Sequence, residues 1–412
     1  MNLAYVSLAA LVIAILVSCF SELNVGILAL ALAWIVGVYL GGMTVNQVIA
    51  GFPVPLFLTL AGVTLLFSQA QLNGTLDRIA HRAVRVCRGN TGLIPMMFFA
   101  LAASLASLGP GNISTAALLA PMAMAVAGRA AIPAFLMIIM VGNGAQAGSL
   151  SPFAPTGVIV NGLMDKIGLP GQEFHTYWTN LAAHALVAFG AYFAFGGLAL
   201  FRSAQVVTIE QTPEEIKLER RHWITIVVIG ALLVGVLFFE VNVGMGALAG
   251  AVALAMFGAA DHKEAVRKMP WSVIVMMSGV TVLISLMEKT GGLDLFTAAL
   301  AALATPATIT GVIAFVIGLI SVYSSTSGVV LPAFLPTVPG LIERLGGGDP
   351  VSIATSMIVG AHLVDLSPLS TTGALCLAGV SPTENVRSVF NKLLAWGLSM
   401  TVVGAIISYV FF

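Results

Sequence analysis

The sequence predicts an all-α polytopic membrane protein: two inverted repeats that together hold about ten transmembrane helices plus two re-entrant hairpins. Three observations lead there. The 412-residue chain is 59% hydrophobic and 8% charged, where an ordinary soluble domain is roughly 25% charged. Its apolar runs are long enough to cross a bilayer core as helices. The polar punctuation of the first half returns in the second. The formal net charge is zero, with no basic run interleaved with aromatics, which excludes a nucleic-acid partner. Cys19, Cys87 and Cys376 are odd in number and lack CxxC spacing, so they indicate neither a disulfide framework nor a cysteine metal site. No Lys or Arg precedes Arg78. The first apolar run therefore lacks the charged start of a cleavable signal and is read as a retained span.

Leu3 to Phe20 and Val25 to Gly41 are apolar runs forming a tight helical pair around Ser21-Glu22-Leu23-Asn24, and Val54 to Ala70 is the third run. The stretch QLNGTLDRIAHRAVRVCRGN then sets Arg78, His81, Arg82, Arg85 and Arg88 among Leu76, Ile79, Ala83 and Val86. That three-and-four spacing predicts a helix lying on the membrane surface. Gly92 to Leu108 and Ile113 to Ala127 are apolar arms around SLGPGNIST, a turn rich in Gly, Pro and hydroxyls, which predicts a re-entrant hairpin. Ile132 to Asp165 contains VGNGAQAGSLSPFAPTG, Val141 to Gly157. It is expected as a broken helix, since non-helical backbone persists at membrane depth only under cover of protein or a cavity. The short polar stretch Lys166 to Tyr177 and a span from Leu181 to Phe201 complete the first repeat, 1–201. A charged linker, 202–222, is expected in the cytoplasm, and 223–412 is the second repeat.

The restart is readable residue by residue. Phe20-Ser-Glu22-Leu-Asn24-Val-Gly26 recurs as Phe238-Phe-Glu240-Val-Asn242-Val-Gly244. Pro53 recurs as Pro270, Gly62-Val63-Thr64 as Gly279-Val280-Thr281, and Leu76-Asp77 as Leu293-Asp294. Glu22 and Glu240, matched at loop ends, are read as interfacial. The second interfacial helix is Gly291 to Thr305, and the second hairpin has arms Ala307 to Ile320 and Val329 to Ile342 around SVYSSTSG. The second break is VGAHLVDLSPLSTTG, Val359 to Gly373, where Ser367-Pro368 matches Ser151-Pro152 and Thr372-Gly373 matches Thr156-Gly157. The last span is Leu393 to Phe412. About five spans per half, an odd number, require the halves to sit upside down relative to each other.

Charge gives an independent reading of the same arrangement. With Arg78 to Arg88 in the cytoplasm, that face also holds Arg129, Arg202, Lys217, Arg220, Arg221, Lys263, Arg267, Lys268, Arg387 and Lys392. Only Lys166, Lys289 and Arg344 fall outside, as the positive-inside rule requires. Both termini then face outward, and the expected location is the plasma membrane, a bacterial inner membrane.

Four polar clusters interrupt helix: Ser107 to Thr115, Ser149 to Gly157, Ser321 to Gly328 and Asp365 to Gly373. The second arm of each hairpin begins at its tip, so unpaired amides and partial positive charge face the midplane and favour an anion. Unwound carbonyls at the breaks favour a small cation. The candidate substrate contacts are Asn112, Ser114, Thr115, Pro155, Thr156, Ser325, Thr326, Ser327, His362, Thr371 and Thr372. The candidate cation ligands are Ser107, Asn112, Ser151, Ser324, Ser325, Asp365 and Ser367. Each Ser or Thr can equally serve close helix packing, and Asn112 suits a turn. Asp365 stands apart, because a carboxylate within the membrane is a functional candidate by default, the alternative being a hydrogen bond that locks a hairpin backbone. His362, one turn earlier, can pair with Asp365, titrate, or bond a carbonyl. Ser327-Gly328 and His362 are the only hints of an intramembrane hydrolase, and nothing in the sequence sets that serine within reach of a histidine.

At these residues the chain resembles the ion-transporter superfamily that includes the divalent-anion:sodium symporters, and within it most closely the MatC-type dicarboxylate carriers. The resemblance covers nearly the whole chain and rests on architecture more than motif. In the symporters each hairpin tip carries Ser-Asn-Thr. Here Gly111-Asn112-Ile113-Ser114-Thr115 matches loosely, and Ser324-Ser325-Thr326 has Ser where the family has Asn, so a second sodium site stays open. The Thr-Pro of the family's breaks is represented by Pro155-Thr156 and Thr371-Thr372. The resemblance implies an elevator mechanism in a homodimer, with hairpins and broken helices sliding against a scaffold of early spans. It implies a small organic dianion, malonate or a C4-dicarboxylate, as substrate, sodium as the coupling ion, no organic cofactor and no catalysis. A proton-coupled organic-anion transporter and the large membrane subunit of a binding-protein-dependent transporter are the alternatives.

Overall fold

Asparagine caps, glycine crossings and proline breaks set the architecture of this computed structural model, which describes residues 2–21, 23–86, 89–202, 206–207, 217–239, 241–380 and 384–412. Glu22, Cys87, Arg88 and Glu240, and most of the linker 202–222, lie outside the described residues. Helices dominate; one short antiparallel pairing joins Gly89 to Val207 and Asn90 to Val206. Among the described residues, five helices are long and apolar enough to cross a membrane: Val54–Leu72, Gly111–Arg129, Trp271–Thr290, Thr326–Leu345 and Val386–Phe411. Shorter apolar helices, among them Val25–Leu40, Ala134–Gly148 and Pro350–Leu363, pack between them.

The helix pair at each end of the quoted repeat starts the same way. Asn24 caps Val25–Trp34 by accepting from the Gly26 amide, and Asn242 caps Val243–Met256 by accepting from the Met245 amide. Each side chain replaces a partner that the first turn lacks. The glycines that follow bring backbones into contact. A Cβ on Gly279 would lie 2.0 Å from the Gly26 carbonyl oxygen, and one on Gly62 would lie 2.3 Å from the Gly244 carbonyl oxygen. Val25–Trp34 thus crosses Trp271–Thr290, and Val54–Leu72 crosses Val243–Met256, a small-residue packing common between membrane helices. Polar ties reinforce these crossings between distant parts of the chain. Asn24 donates to the Ser272 carbonyl at 2.9 Å, Gln69 to the Ala251 carbonyl at 3.1 Å, and Asn73 to Thr225 Oγ1 at 2.7 Å.

The first hairpin packs with the breaks and the last helix, while the return arm of the second hairpin packs on Trp271–Thr290 and Gly292–Ala301. The arms Leu93–Leu108 and Gly111–Arg129 pack on Ala134–Gly148, and the arm Ile309–Ser321 packs on Pro350–Leu363 and on Val386–Phe411. The first broken helix runs Ala134–Gly148 then Pro155–Lys166, and the second Pro350–Leu363 then Thr371–Ala378.

Three local features depart from the sequence reading. The return arm expected as Val329 to Ile342 is a π-turn Thr326–Val330, a helix Leu331–Phe334, a 3-10 turn Leu335–Thr337 and a helix Val338–Leu345. Pro332, Pro336 and Pro339 remove amide donors along it, and no single hydrogen-bond ladder can run through. The stretch Lys166 to Tyr177, read as polar connection, already becomes helix at Glu173, whose charge suits an N-terminal turn. Two surface helices, Val45–Ile49 and His262–Lys268, are too short to show a period. Thr44 with Gln47 caps the first; Asp261 caps the second, and the Glu264 and Lys263 amides hold its carboxyl below the usual range.

Candidate functional site

The first hairpin turns through Gly109-Pro110-Gly111, with Gly109 at φ +136° and Gly111 at φ +73°. Both conformations favour glycine, and a Cβ on Gly109 would fall 1.9 Å from the Phe67 ring. The helix Gly111–Arg129 begins with Pro110 as its cap residue, which has no side-chain cap to offer, so the first-turn amides face the tip unclaimed by a capping side chain. The second tip differs. Ser325 caps Thr326–Val330 by accepting from the Gly328 amide, and Ser370 caps Thr371–Ala378 by accepting from the Gly373 amide.

Asp365 sits where the second break meets both tips. Its Oδ1 accepts from Thr326 Oγ1 at 2.5 Å and its Oδ2 from Gln146 Nε2 at 3.2 Å. Thr326 in turn is hydrogen-bonded to Ser321 at the end of the incoming arm. Gln146, on the first broken helix, also donates to Thr372 Oγ1 at 3.3 Å and accepts from Asn112 Nδ2 at 2.9 Å. One amide therefore ties the first tip, the first broken helix and the second break to the carboxylate. The break itself is held by Ser370 Oγ, which donates to the Asp365 and Ser367 carbonyls.

Two cavities meet at the tips. One, of about 270 Å³, is lined by Asn112, Ser324, Ser325, Thr326, Ser327, Asp365, Thr371 and Thr372, and reaches Ser21, Asn24 and Ser272. The other, of about 250 Å³, is lined by Asn112, Ser114, Pro155, Thr156 and Ser327, and reaches Thr64, Ser68 and Lys268. Opposite the tips, the first cavity is closed by Asn24, Val25 and the start of Trp271–Thr290, and the second by Val54–Leu72 and the start of Trp271–Thr290.

Residues 1–149 match the family described as the N-terminus of the dicarboxylate carrier protein MatC. The match covers the first hairpin and the first half of the first broken helix. A comparison with curated proteins finds no match. Among solved structures, the Alcanivorax borkumensis YdaH transporter is similar in fold, with TM-score 0.63 and 18% identity over 91% of this chain and 88% of that one. Neisseria gonorrhoeae MtrF, described with a class of antimetabolite efflux pumps, gives TM-score 0.58 and 12% identity over 90% of this chain and 83% of that one. This chain thus has a fold found in membrane transporters, and a first part similar to MatC-type carriers.

Not every residue expected at the site reaches a cavity. Asn112, Ser114, Pro155, Thr156, Ser324, Ser325, Thr326, Ser327, Asp365, Thr371 and Thr372 line one or both. Ser107, Thr115, Ser151, His362 and Ser367 line neither. Ser151 Oγ donates to the Ser107 carbonyl at 2.7 Å, and Ser107 Oγ to the Ala103 carbonyl at 2.7 Å, so these two fasten the first hairpin to the first break. Ser367 is fully buried and its Oγ accepts from the Leu369 amide, shaping the turn. Thr115 is buried beneath the tip. His362 is buried too, and its Nδ1 pairs with the Ile358 carbonyl at 2.9 Å; of the readings open for it, a bond to a carbonyl is the one formed. Gln146 is the central residue that sequence reasoning missed. Its signal was an uncharged amide in a Gly- and Ala-rich apolar run, which names no partner until the fold supplies Asn112 and Asp365.

Proposed function

We propose that this protein is a cation-coupled secondary transporter of small dicarboxylates, with sodium the favoured cation, built from two inverted repeats. The hairpins and broken helices would move together as an elevator against a scaffold of the early helices of each half, in a homodimer. The observation that carries the proposal is Asp365, a carboxylate facing a cavity where both hairpin tips and the second break converge, and hydrogen-bonded to Gln146 of the first broken helix. A carboxylate at this depth is retained for ions or protons. Asp365, Thr326, Ser324 and Ser325 offer the oxygen ligands a hard cation prefers. The anion would be met by the uncapped amides of the first tip and by hydroxyls of Ser327 and Thr371. The likeness to MatC-type carriers in residues 1–149 supports the dicarboxylate class.

The reciprocal crossings of Gly26 with Gly279 and Gly244 with Gly62 support the repeat, since each contact pairs the same two repeat positions. The cavities reach Ser21, Asn24, Ser272 and Lys268, the side that the charge distribution assigns to the cytoplasm. That reading makes the tips open toward the cytoplasm, where Lys268 beside the second cavity would draw anions in.

Competition against a transported dicarboxylate tests the substrate class, using malonate, succinate and their half-amides. Loss of one charge-assisted contact costs roughly 1.5 to 3 kcal/mol, so each half-amide should bind on the order of tenfold to a hundredfold more weakly than its diacid. Equal competition by half-amides and diacids would exclude a dianion site.

A further inference from the structure

An ionised carboxylate only accepts hydrogen bonds, and this fixes every amide in the chain from Asp365 to the first tip. Asp365 Oδ2 must receive Gln146 Nε2. Gln146 Oε1 is then turned to Asn112, whose Nδ2 donates to it. Asn112 Oδ1 is left, among the described residues, without a hydrogen bond, on a side chain that lines both cavities. With Asp365 charged, the first tip therefore presents an acceptor to the cavity, the wrong character for a carboxylate.

The chain can run the other way. If Asp365 shares a cation, Gln146 can turn its Oε1 toward Asp365 Oδ2 and receive the Thr372 hydroxyl. Gln146 Nε2 then donates to Asn112 Oδ1, and Asn112 Nδ2 faces the cavity as a donor. Each link from Asp365 to Asn112 keeps one donor and one acceptor in both orientations, the free atom of Asn112 facing the cavity in each, and the cation at Asp365 selects between them. In the turned state Gln146 Oε1, Asp365 Oδ2 and Thr372 Oγ1 form a set of oxygens suited to the cation itself.

We propose that Gln146 is a positioning residue, an amide relay that converts cation occupancy at Asp365 into the donor or acceptor character of Asn112 at the first hairpin tip. This rests on the transport reading only where dicarboxylate binding is concerned; the relay itself is a property of the empty protein.

The first experiment uses no substrate. The full chain is labelled with 15N-asparagine in nanodiscs, and the Asn112 side-chain signal is identified by its loss in Asn112→Asp. Adding sodium in place of choline should shift that signal. Asp365→Asn, whose amide can donate to Gln146 Oε1, should show the shifted signal without sodium. Gln146→Leu in the Asp365→Asn background should return it. A signal that ignores Asp365→Asn overturns the relay, as does one that Gln146→Leu leaves unchanged.

The second experiment measures malonate and succinate binding with and without sodium. The sodium dependence expected in the wild type is on the order of tenfold to a hundredfold and should fall to about twofold or less in Gln146→Leu. Asp365→Asn should bind in choline as the wild type does in sodium. A relay signal without dicarboxylate binding would count against the proposed substrate and for the relay; dicarboxylate binding without a relay signal would do the reverse.

Discussion

Thr326 holds Asp365 with a single hydroxyl, donating to its Oδ1 while the Ser321 hydroxyl stands behind it. Thr326→Val keeps the branched shape and deletes that donor, leaving one carboxylate oxygen bare. A lost hydrogen bond to a charged group amounts to roughly 1.5 to 3 kcal/mol. Cation binding, followed by thermal shift against sodium concentration, should weaken on the order of tenfold to a hundredfold and recover in Thr326→Ser; an unchanged sodium response would place the cation elsewhere. Asp365 was legible in the sequence because a lone carboxylate between apolar residues has few structural uses. Ser107, Ser151 and Ser367 looked like ligands because hydroxyls near helix breaks bind ions and bond backbone alike, and only the fold shows that these three fasten the breaks to themselves and to the hairpin. His362 was open for a similar reason, since a histidine one turn from a carboxylate says nothing about which way its ring is directed, and here its Nδ1 pairs with the Ile358 carbonyl.

Glycines carry the element scale, where two helix crossings depend on them. A methyl group at Gly279 or Gly62 meets backbone oxygen well inside contact distance, whereas one at Gly230 or Gly190 meets nothing within 4 Å. Overpacking of this kind costs about 1 to 3 kcal/mol, and Ala in place of an unhindered helical Gly gains up to about 1 kcal/mol. Thermal unfolding in detergent should therefore show Gly279→Ala and Gly62→Ala destabilised, and Gly230→Ala and Gly190→Ala unchanged or stabilised. The reverse order would mean that the crossings are looser than described. The first hairpin and the breaks could be read from Gly, Pro and Ser runs, since those residues end helices for local reasons. The fragmentation of Thr326–Leu345 was visible in three prolines, but their effect depends on how neighbouring turns re-form hydrogen bonds, which is settled by packing.

At the scale of the whole molecule, the halves are tied on two faces. Asn24 bonds Ser272 on one, and Lys289 Nζ donates to the Gln47 carbonyl on the other. Single cysteines at Arg220 and Lys289, on a background lacking Cys19, Cys87 and Cys376, should label from opposite sides with an impermeant reagent, position 220 from the cytoplasm. Labelling of both from one side would contradict the inverted arrangement. The apolar helices were legible because apolar runs of that length suit a bilayer, and the recurring asparagine caps and glycines because they stand in the sequence itself. How the two tips come together was not legible, since Asn112, Gln146, Thr326 and Asp365 lie far apart in the chain and share no spacing rule.

The most direct measurement of coupled transport is uptake of radiolabelled malonate and succinate by the purified chain in proteoliposomes, with an inward sodium gradient, with choline in its place, and with an imposed pH gradient in choline. The expected result is accumulation above the external concentration with sodium, and loss of that gradient-driven accumulation in Asp365→Asn while the variant remains folded. Accumulation driven by the pH gradient alone would make the proton the coupling ion. Accumulation that is the same with sodium, choline or a pH gradient, and the same in Asp365→Asn, would contradict cation coupling through Asp365.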